Sequence, residues 1–214
     1  MNKYFKESIL WIIILIPFVY MSAIWNELPM VIPTHFDLSG TPNGWSDKNS
    51  LIILFSSLGI GTYLLMLFIP KFDPKNKIQQ MGEKYYSLRI LMTILMSAIS
   101  MYILFSGKGD KLNPTWFIAL IGAFDAVFGN YLQTVKPNYF IGIRTPWTLE
   151  NEQTWRSTHR MAGRIWMVGG LLIIILSLVL TNYVTLGIIF TTITFILVIV
   201  PVIYSYIQFK KIHS

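Results

Sequence analysis

The side chains that could do chemistry are concentrated between Lys136 and Arg164, the longest polar interval in an otherwise apolar sequence. Four charged residues recur there at every fourth position and would line one stripe of a helix: Glu152, Arg156, Arg160 and Arg164. An adjoining stripe would carry Trp155, His159, Ala162 and Trp166. Two interpretations stay open: an interfacial helix anchored by its arginines and tryptophans, or a recognition surface with Arg144 and a His159 that titrates near neutrality.

The residues before this helical pattern predict how it begins. Pro146 restricts Thr145 to an extended conformation, which favours Thr145 as the N-cap of a helix with proline at its first position. Thr148 is the other candidate cap. Gly142 permits a backbone conformation that a side chain would forbid.

Asp125 is a second place where chemistry is expected, because it lies near the middle of an apolar segment. An ionised carboxylate there costs at least about 2.5 kcal/mol. Asp125 is therefore either neutral and hydrogen-bonded, or it lines a polar path together with Asn130. Gly122 and Gly129 allow close helix packing, which predicts that this segment faces the interior of a helix bundle.

The segment 26–50 carries a third candidate group. His35 and Asp37 are two residues apart, so on an extended chain both would point to one face and could bind a metal or titrate together. One histidine and one carboxylate are at most half of a metal site, so a hydrogen-bonded loop histidine is favoured and no metal is expected. Turns are predicted at 38–40 and 41–44, which indicates a compact, turn-rich loop.

The elements that position these residues are membrane helices. The chain has 214 residues, of which 54% are hydrophobic and only 13% are charged, and it has no cysteine, so disulfides and thiolate sites are excluded. Six stretches have or approach the length of a bilayer span: Ser8–Trp25, Leu51–Ile69, Leu88–Ser106, Thr115–Leu132, Gly163–Thr181 and Val184–Tyr206. The predicted fold is an all-α integral membrane protein with six transmembrane helices.

The distribution of basic residues predicts the orientation. Fourteen of the 17 Lys and Arg fall on one side of the predicted helices, which places both termini and the loop 133–162 in the cytoplasm and the small loop 26–50 outside. The net charge of +7 is thus a topology signal. Direct nucleic-acid binding is not expected, because the basic residues are spread over four short segments.

The loop 26–50 contains a pattern that resembles a membrane domain of unknown function often found before the core domain of SdpI-type immunity proteins. The residues of the pattern that are candidate binding residues are Pro33, His35, Asp37, Gly40, Trp45 and Lys48. On this resemblance the chain divides into a two-helix membrane domain over residues 1–70 and a four-helix SdpI-like domain over residues 71–214.

The central stretch resembles the signature of the SdpI family of bacterial membrane proteins. Its candidate cytoplasmic binding residues are Asn138, Gly142, Arg144, Thr145, Pro146, Trp147, Trp155, His159 and Gly163. The two patterns together cover nearly the whole chain. The resemblance implies a protein of the bacterial plasma membrane that protects the cell from a secreted antimicrobial peptide toxin and that also signals by holding a transcriptional repressor at the membrane. The implied partners are membrane lipid, a peptide toxin outside and a cytoplasmic repressor.

Two other classes of function are alternatives to immunity. A small-solute or proton-coupled transporter or channel would use Asp125 and Asn130 to line its path. A membrane enzyme is not expected, because His35 and His159 are predicted on opposite faces of the bilayer and neither face has a nucleophile and base pair. No cofactor is expected either.

Overall fold

A computed structural model of the chain describes residues 2–37, 41–108 and 114–213. Its helices are α1 (Lys3–Ala23), α2 (Ser50–Phe55), α3 (Thr62–Phe72), α4 (Glu83–Gly107), α5 (Thr115–Leu132), α6 (Pro146–Glu150), α7 (Glu152–Val179) and α8 (Tyr183–His213). Its strands are β1 (Val31–Phe36) and β2 (Pro42–Asp47).

Six helical segments of these described ranges are long and apolar enough to cross a membrane, as predicted: 4–23, 50–72, 83–107, 115–132, 152–179 and 183–212. The bounds of α5 are the predicted ones. The second span is not one regular helix, because a π-helical segment, Ser56–Gly61, separates α2 from α3. Two glycines lie in that segment, and glycine stabilises a regular α-helix least of all residues except proline.

Contacts within the chain group the described residues into two compact units. The first comprises residues 1–67 and 89–117, and the second comprises residues 68–88 and 118–214. The core of the first unit contains Met21, Ile24, Leu28, Ile32, Leu51, Phe55 and Leu104. The division at residue 70 inferred from the resemblance stays a prediction.

The segment 26–50 contains a β-hairpin in addition to turns. β1 and β2 pair antiparallel, with Val31 opposite Asp47 and Pro33 opposite Trp45, and the register shifts on both sides of His35. The turn predicted at 41–44 is wrong, because Pro42 begins β2. The turn predicted at 38–40 lies outside the described residues. Three of the first four residues of β1 are β-branched, namely Val31, Ile32 and Thr34, and such residues favour strands.

In the second unit, α5 and α7 approach each other backbone to backbone. A Cβ atom added to Gly129 would lie 2.5 Å from the Met167 nitrogen, and one added to Gly170 would lie 2.4 Å from the Ala126 nitrogen. The contact includes Gly122, whose added Cβ would lie 2.9 Å from the Gly170 oxygen. Small residues allow this approach because they leave no side chain between the helices.

The predicted loop 133–162 is partly wrong, because α7 already begins at Glu152 and continues without a break to Val179. Its 28 residues span about 42 Å. The stripe of Arg156, Arg160 and Arg164 is therefore the first part of a membrane helix. The prediction of a separate interfacial helix that turns into the next span is wrong, since the side chain of Asn151 caps α7 and no later residue interrupts it.

Candidate functional site

The loop between α5 and α6 is organised by the side chain of Asn138, which is almost fully buried. Its Oδ1 atom accepts hydrogen bonds from the backbone N–H groups of Phe140 (2.8 Å) and Ile141 (2.7 Å). Its Nδ2 atom donates to the carbonyl oxygens of Lys136 (2.8 Å) and Ile141 (3.1 Å). The amide side chain thus makes two hydrogen bonds as acceptor and two as donor, all with backbone atoms of its own loop.

The loop is fastened to α7 where Gly142 crosses His159. The φ angle of Gly142 is 105°, and a Cβ atom on it would lie 2.3 Å from Nε2 of His159. The backbone N–H of the next residue, Ile143, donates to that same Nε2 atom at 3.0 Å. Only glycine satisfies both the positive φ and the close approach.

The hydrogen bonds of His159 fix its protonation state. Its Nδ1 atom lies 2.9 Å from the carbonyl oxygen of Trp155, which can only accept, and its Nε2 atom accepts from Ile143. The ring is therefore neutral, with its proton on Nδ1. At 1% exposure His159 lies beneath the loop, so the hypothesis that it titrates on a recognition surface is wrong.

Trp155 is the largest fully buried side chain of this region. Its ring stacks on the His159 ring with centroids 4.0 Å apart, and its Nε1 atom donates to the carbonyl oxygen of Val135 at 2.9 Å. Trp155 therefore packs inside the protein and is not an interfacial anchor. The bond to Val135 fixes the end of α5 to the beginning of α7.

The start of α6 has the predicted geometry. Thr145 is the N-cap, Pro146 is the first helical residue, and the hydroxyl of Thr145 accepts from the N–H of Thr148 at 3.2 Å. Thr148 is not the cap; its hydroxyl completes the capping box by accepting from the N–H of Thr145 at 3.0 Å. The Thr145 hydroxyl also contacts that of Ser205 in α8 at 3.0 Å, which connects α6 to the last helix.

The remaining signature residues lie on the outside of the loop or at the helix crossing. Arg144 is exposed, and its Nη1 atom donates to the carbonyl oxygen of Tyr139 at 2.6 Å. Trp147 packs on Tyr206 with ring centroids 5.1 Å apart. A Cβ atom on Gly163 would lie 2.5 Å from the Gly129 oxygen, so Gly163 is part of the α5 and α7 contact.

A cavity of about 690 Å³ opens between this loop, α7 and the segment before α4, entirely within the second unit. Its basic lining residues are Lys75, Lys77, Lys84, Lys136, Arg156 and Arg160, and its acidic ones are Glu150 and Glu152. The ammonium group of Lys75 also lies 5.2 Å from the centroid of the Tyr139 ring, and a hydrogen bond to Tyr139 raises the pKa of Lys75. We call this space the basic cavity.

In the hairpin, His35 and Asp37 contact other residues of the hairpin, whereas the ring of Trp45 is exposed. The Nδ1 atom of His35 contacts Oδ1 of Asn43 across the strands, as expected of a hydrogen-bonded histidine. The carboxylate of Asp37 accepts from the N–H of Thr41 at 2.9 Å and so closes the connection between the strands. Pro33 lies opposite Trp45, whose side chain is 58% exposed.

The last residue of the hairpin pattern anchors it, and one residue cannot be placed. The ammonium group of Lys48 is buried and donates to the carbonyl oxygens of Trp25 (3.0 Å) and Leu28 (3.4 Å), just beyond the end of α1. It also lies 4.8 Å from the centroid of the Trp25 ring. Gly40 lies outside the described residues.

The two polar residues predicted inside the membrane do not share a face of α5. Asp125 is 6% exposed, beside the glycines that contact α7, whereas Asn130 is exposed on the outer surface of the helix. The prediction that α5 packs closely through Gly122 and Gly129 agrees with this arrangement. The prediction that Asp125 and Asn130 line one polar path does not agree with it, because the two residues lie on different faces of α5.

Sequence reasoning missed an ion pair in the first unit. Arg89 donates to both carboxylate oxygens of Glu7, each at 2.8 Å, and the hydroxyl of Tyr63 donates to Glu7 at 2.8 Å. The sequence pattern explains Arg89 only as one of the basic residues that predict the orientation of the helices. The available signal was Glu7 itself, the only acidic residue among the first 26.

Comparisons with known proteins agree with the resemblance drawn from the two sequence patterns. Residues 134–205 match the model of the SdpI/YfhL protein family, and residues 12–60 match that of a domain of unknown function, DUF1648. Immunity protein SdpI of Bacillus subtilis (strain 168) is 27% identical over 211 residues, which cover 98% of each chain. No solved structure matches. The six apolar helices and this similarity make the chain a multi-pass membrane protein.

Proposed function

We propose that this protein is an immunity protein that protects its cell from a secreted antimicrobial peptide toxin. The observation that carries the proposal is the similarity to Immunity protein SdpI, because it extends over 98% of both chains and is not confined to the apolar helices. The family match over residues 134–205 supports the same function.

The hairpin is the surface on which the toxin would bind. Three large apolar side chains are exposed on and beside it: Met30, Val31 and Trp45. The charge distribution predicts that the hairpin faces the outside, where a secreted peptide arrives. Exposed aromatic side chains are frequent energetic centres of protein interfaces, so Trp45 is the proposed main contact.

The loop after α5, together with α6, would bind a cytoplasmic repressor. Arg144 and Leu149 are exposed on the loop and on α6, while the buried signature residues hold that loop in one conformation. A rigid loop with exposed arginine and apolar side chains presents a partner with a preformed surface. In this proposal protection and signalling use opposite faces of the membrane.

The direct test of immunity is deletion of the gene followed by challenge with toxins secreted by its own strain and by close relatives. We expect the deletion strain to lose viability at toxin concentrations that the parent strain survives, and the intact gene in trans to restore survival. Unchanged survival against all of these toxins would remove immunity as the function.

Transport is a second candidate function, and the burial of Asp125 within a membrane helix favours it. The test is solute or proton flux into vesicles that contain the purified protein or its Asp125→Asn variant. A flux that depends on Asp125 would support a transporter. A flux equal in both proteins would argue against this role of the carboxylate.

A further inference from the structure

We propose that the basic cavity is a binding site for a phosphate group carried by a lipid headgroup or by a soluble phosphoester. The site belongs wholly to the second unit and does not depend on the proposed immunity function. Neither the family match nor the similarity to the immunity protein assigns a ligand to this place.

The lining of the basic cavity carries uncompensated positive charge. Within the described ranges, four basic lining residues have no ion pair or side-chain hydrogen bond: Lys77, Lys84, Lys136 and Arg160. Arg156 is already paired with Glu152 at 2.6 Å, which leaves Glu150 as the single acidic lining residue facing four cations. Like charges around one concave space repel each other, and a bound anion removes that repulsion.

The four cations come from different places in the chain. Lys77 precedes α4, Lys84 lies in its first turn, Lys136 follows α5, and Arg160 lies in α7. The positive-inside rule explains why each is on this side of the membrane, but it does not require them to surround one space. Cations from four segments suit a ligand with several oxygen atoms and more than one negative charge.

The hydrogen-bonding groups that line the cavity include many donors. Lysine and arginine side chains only donate, and the amides of Gln80 and Gln133, which also line the cavity, provide further donors. The oxygens of a fully ionised phosphate group accept hydrogen bonds and donate none. Charge-assisted hydrogen bonds from lysine and arginine to such oxygens are among the strongest in proteins. A terminal phosphate group presents three acceptor oxygens to the four cations, whereas a single carboxylate presents two.

The location gives two sources for the phosphate group. The cavity lies where α4 begins, α5 ends and α7 begins, so it is at the ends of three membrane-spanning helices. Phospholipid headgroups occupy this depth of a membrane, and anionic headgroups are attracted to basic residues there. A soluble phosphoester would enter from the same end, and the volume of about 690 Å³ accommodates either.

The test is ligand binding to the purified full-length protein. Nanodiscs with increasing fractions of phosphatidic acid in phosphatidylcholine examine the lipid source, because its phosphomonoester headgroup carries up to two negative charges and three acceptor oxygens. Titration with inorganic pyrophosphate in detergent examines the soluble source. We expect saturable binding of one ligand per chain from at least one source. The double variant Lys136→Gln/Arg160→Gln should weaken it at least about tenfold, since it removes two charge-assisted contacts.

Arg164→Gln is the matched control. Arg164 belongs to the same stripe of α7 one turn beyond Arg160 and is exposed, but it does not line the cavity. Its removal should leave the affinity unchanged. A second double variant at the beginning of α4, Lys77→Gln/Lys84→Gln, should also weaken binding. It covers the case in which the first double variant does not fold.

Every outcome decides for or against the site. Saturation by the lipid alone or by pyrophosphate alone supports it and identifies the source. The proposal is overturned by the absence of saturable binding from both sources, by an equal loss in Arg164→Gln, or by unchanged binding in both double variants. A glutamate-rich peptide that binds more tightly than both phosphate probes would also overturn it and would assign the cavity to an acidic protein segment.

Discussion

Gly142 is the residue at which the smallest change should have a large effect. An added methyl group would meet Nε2 of His159 at 2.3 Å, at a φ angle of 105° that side chains rarely adopt. We expect Gly142→Ala to lower the free energy of unfolding by about 2 kcal/mol.

The measurement is thermal unfolding of the purified protein in detergent, followed by tryptophan fluorescence. Gly61→Ala is the control, because a Cβ atom there would lie 3.8 Å from its nearest neighbour, the Ser56 oxygen. Equal melting temperatures for the two variants would contradict the close approach of the loop to α7.

The ion pair of Glu7 and Arg89 gives a second prediction at the scale of single residues. The side chains of Arg89 and Glu7 are 11% and 24% exposed, so Glu7→Gln removes charge compensation from a largely desolvated guanidinium group. We expect the free energy of unfolding to fall by about 3 kcal/mol, as when one partner of a buried pair is removed.

The pair formed by Glu152 and Arg156 is the control, because its side chains are 61% and 73% exposed. Glu152→Gln should change the stability by less than about 0.5 kcal/mol. Urea unfolding of both variants provides the comparison, and similar losses of stability would show that burial does not set the strength of the Glu7 pair.

At the scale of single residues, the sequence predicted candidate side chains but not what they contact. The preference of Thr145 for the N-cap position was predictable, because Pro146 restricts the residue before it. The contacts of Asn138, Trp155 and His159 were not, since each is made to backbone atoms that only the folded loop brings near. A polar side chain in a polar loop gives no local signal that it is buried.

At the scale of elements, the proposed role of the hairpin in immunity can be tested by replacing Trp45. Trp45→Ala removes the exposed ring while leaving the backbone pairing of β1 and β2 in place. We expect the variant to unfold at the wild-type temperature but to protect cells only at toxin concentrations at least about tenfold lower, as for the loss of an interface centre.

Growth inhibition by graded toxin concentrations measures this effect at matched expression levels. Ile53→Ala is the control, because Ile53 is 75% exposed on α2 rather than on the hairpin. Full protection by Trp45→Ala would remove Trp45 from the toxin surface.

The contact between α5 and α7 gives a second prediction at this scale. Gly170→Leu places a side chain where the backbone of Ala126 now lies 2.4 Å from the Cβ position, so the helices must separate. We expect a loss of about 3 kcal/mol of stability. Val168→Leu on the exposed face of α7 should cost little, and a comparable loss in both variants would contradict the backbone contact.

The sequence pattern was sufficient to predict the membrane helices, but not the start of α7 or the hairpin. Hydropathy predicted six helices because the bilayer requires about 20 apolar residues for each span. It did not predict the start of α7, because a stripe of arginines beside a stripe of apolar residues suits both an interfacial helix and the end of a spanning one. The hairpin was missed because proline and glycine in Pro42–Gly44 are more typical of turns than of strands.

At the scale of the whole molecule, the proposed toxin and repressor surfaces both depend on the predicted orientation of the protein in the membrane. The excess of Lys and Arg at one end predicts that both termini are in the cytoplasm. Alkaline phosphatase fused after Ser214 should therefore be inactive, and a green fluorescent protein at the same position should fluoresce. A matched phosphatase insertion at Asn43 should be active, and the reverse pattern of activities would invert the assignment of both faces.

The length of α7 has a mechanical consequence for the whole protein. A helix of about 42 Å exceeds a hydrocarbon core of about 30 Å, so α7 projects beyond it by about two turns. Within the second unit α7 contacts α5 through glycines, and it contacts the loop after α5 through Trp155 and His159. Trp155 and His159 thus hold α7 near the end that carries Arg156 and Arg160, so a tilt of the helix imposed at Val179 would turn it about this end and leave the two arginines beside the basic cavity.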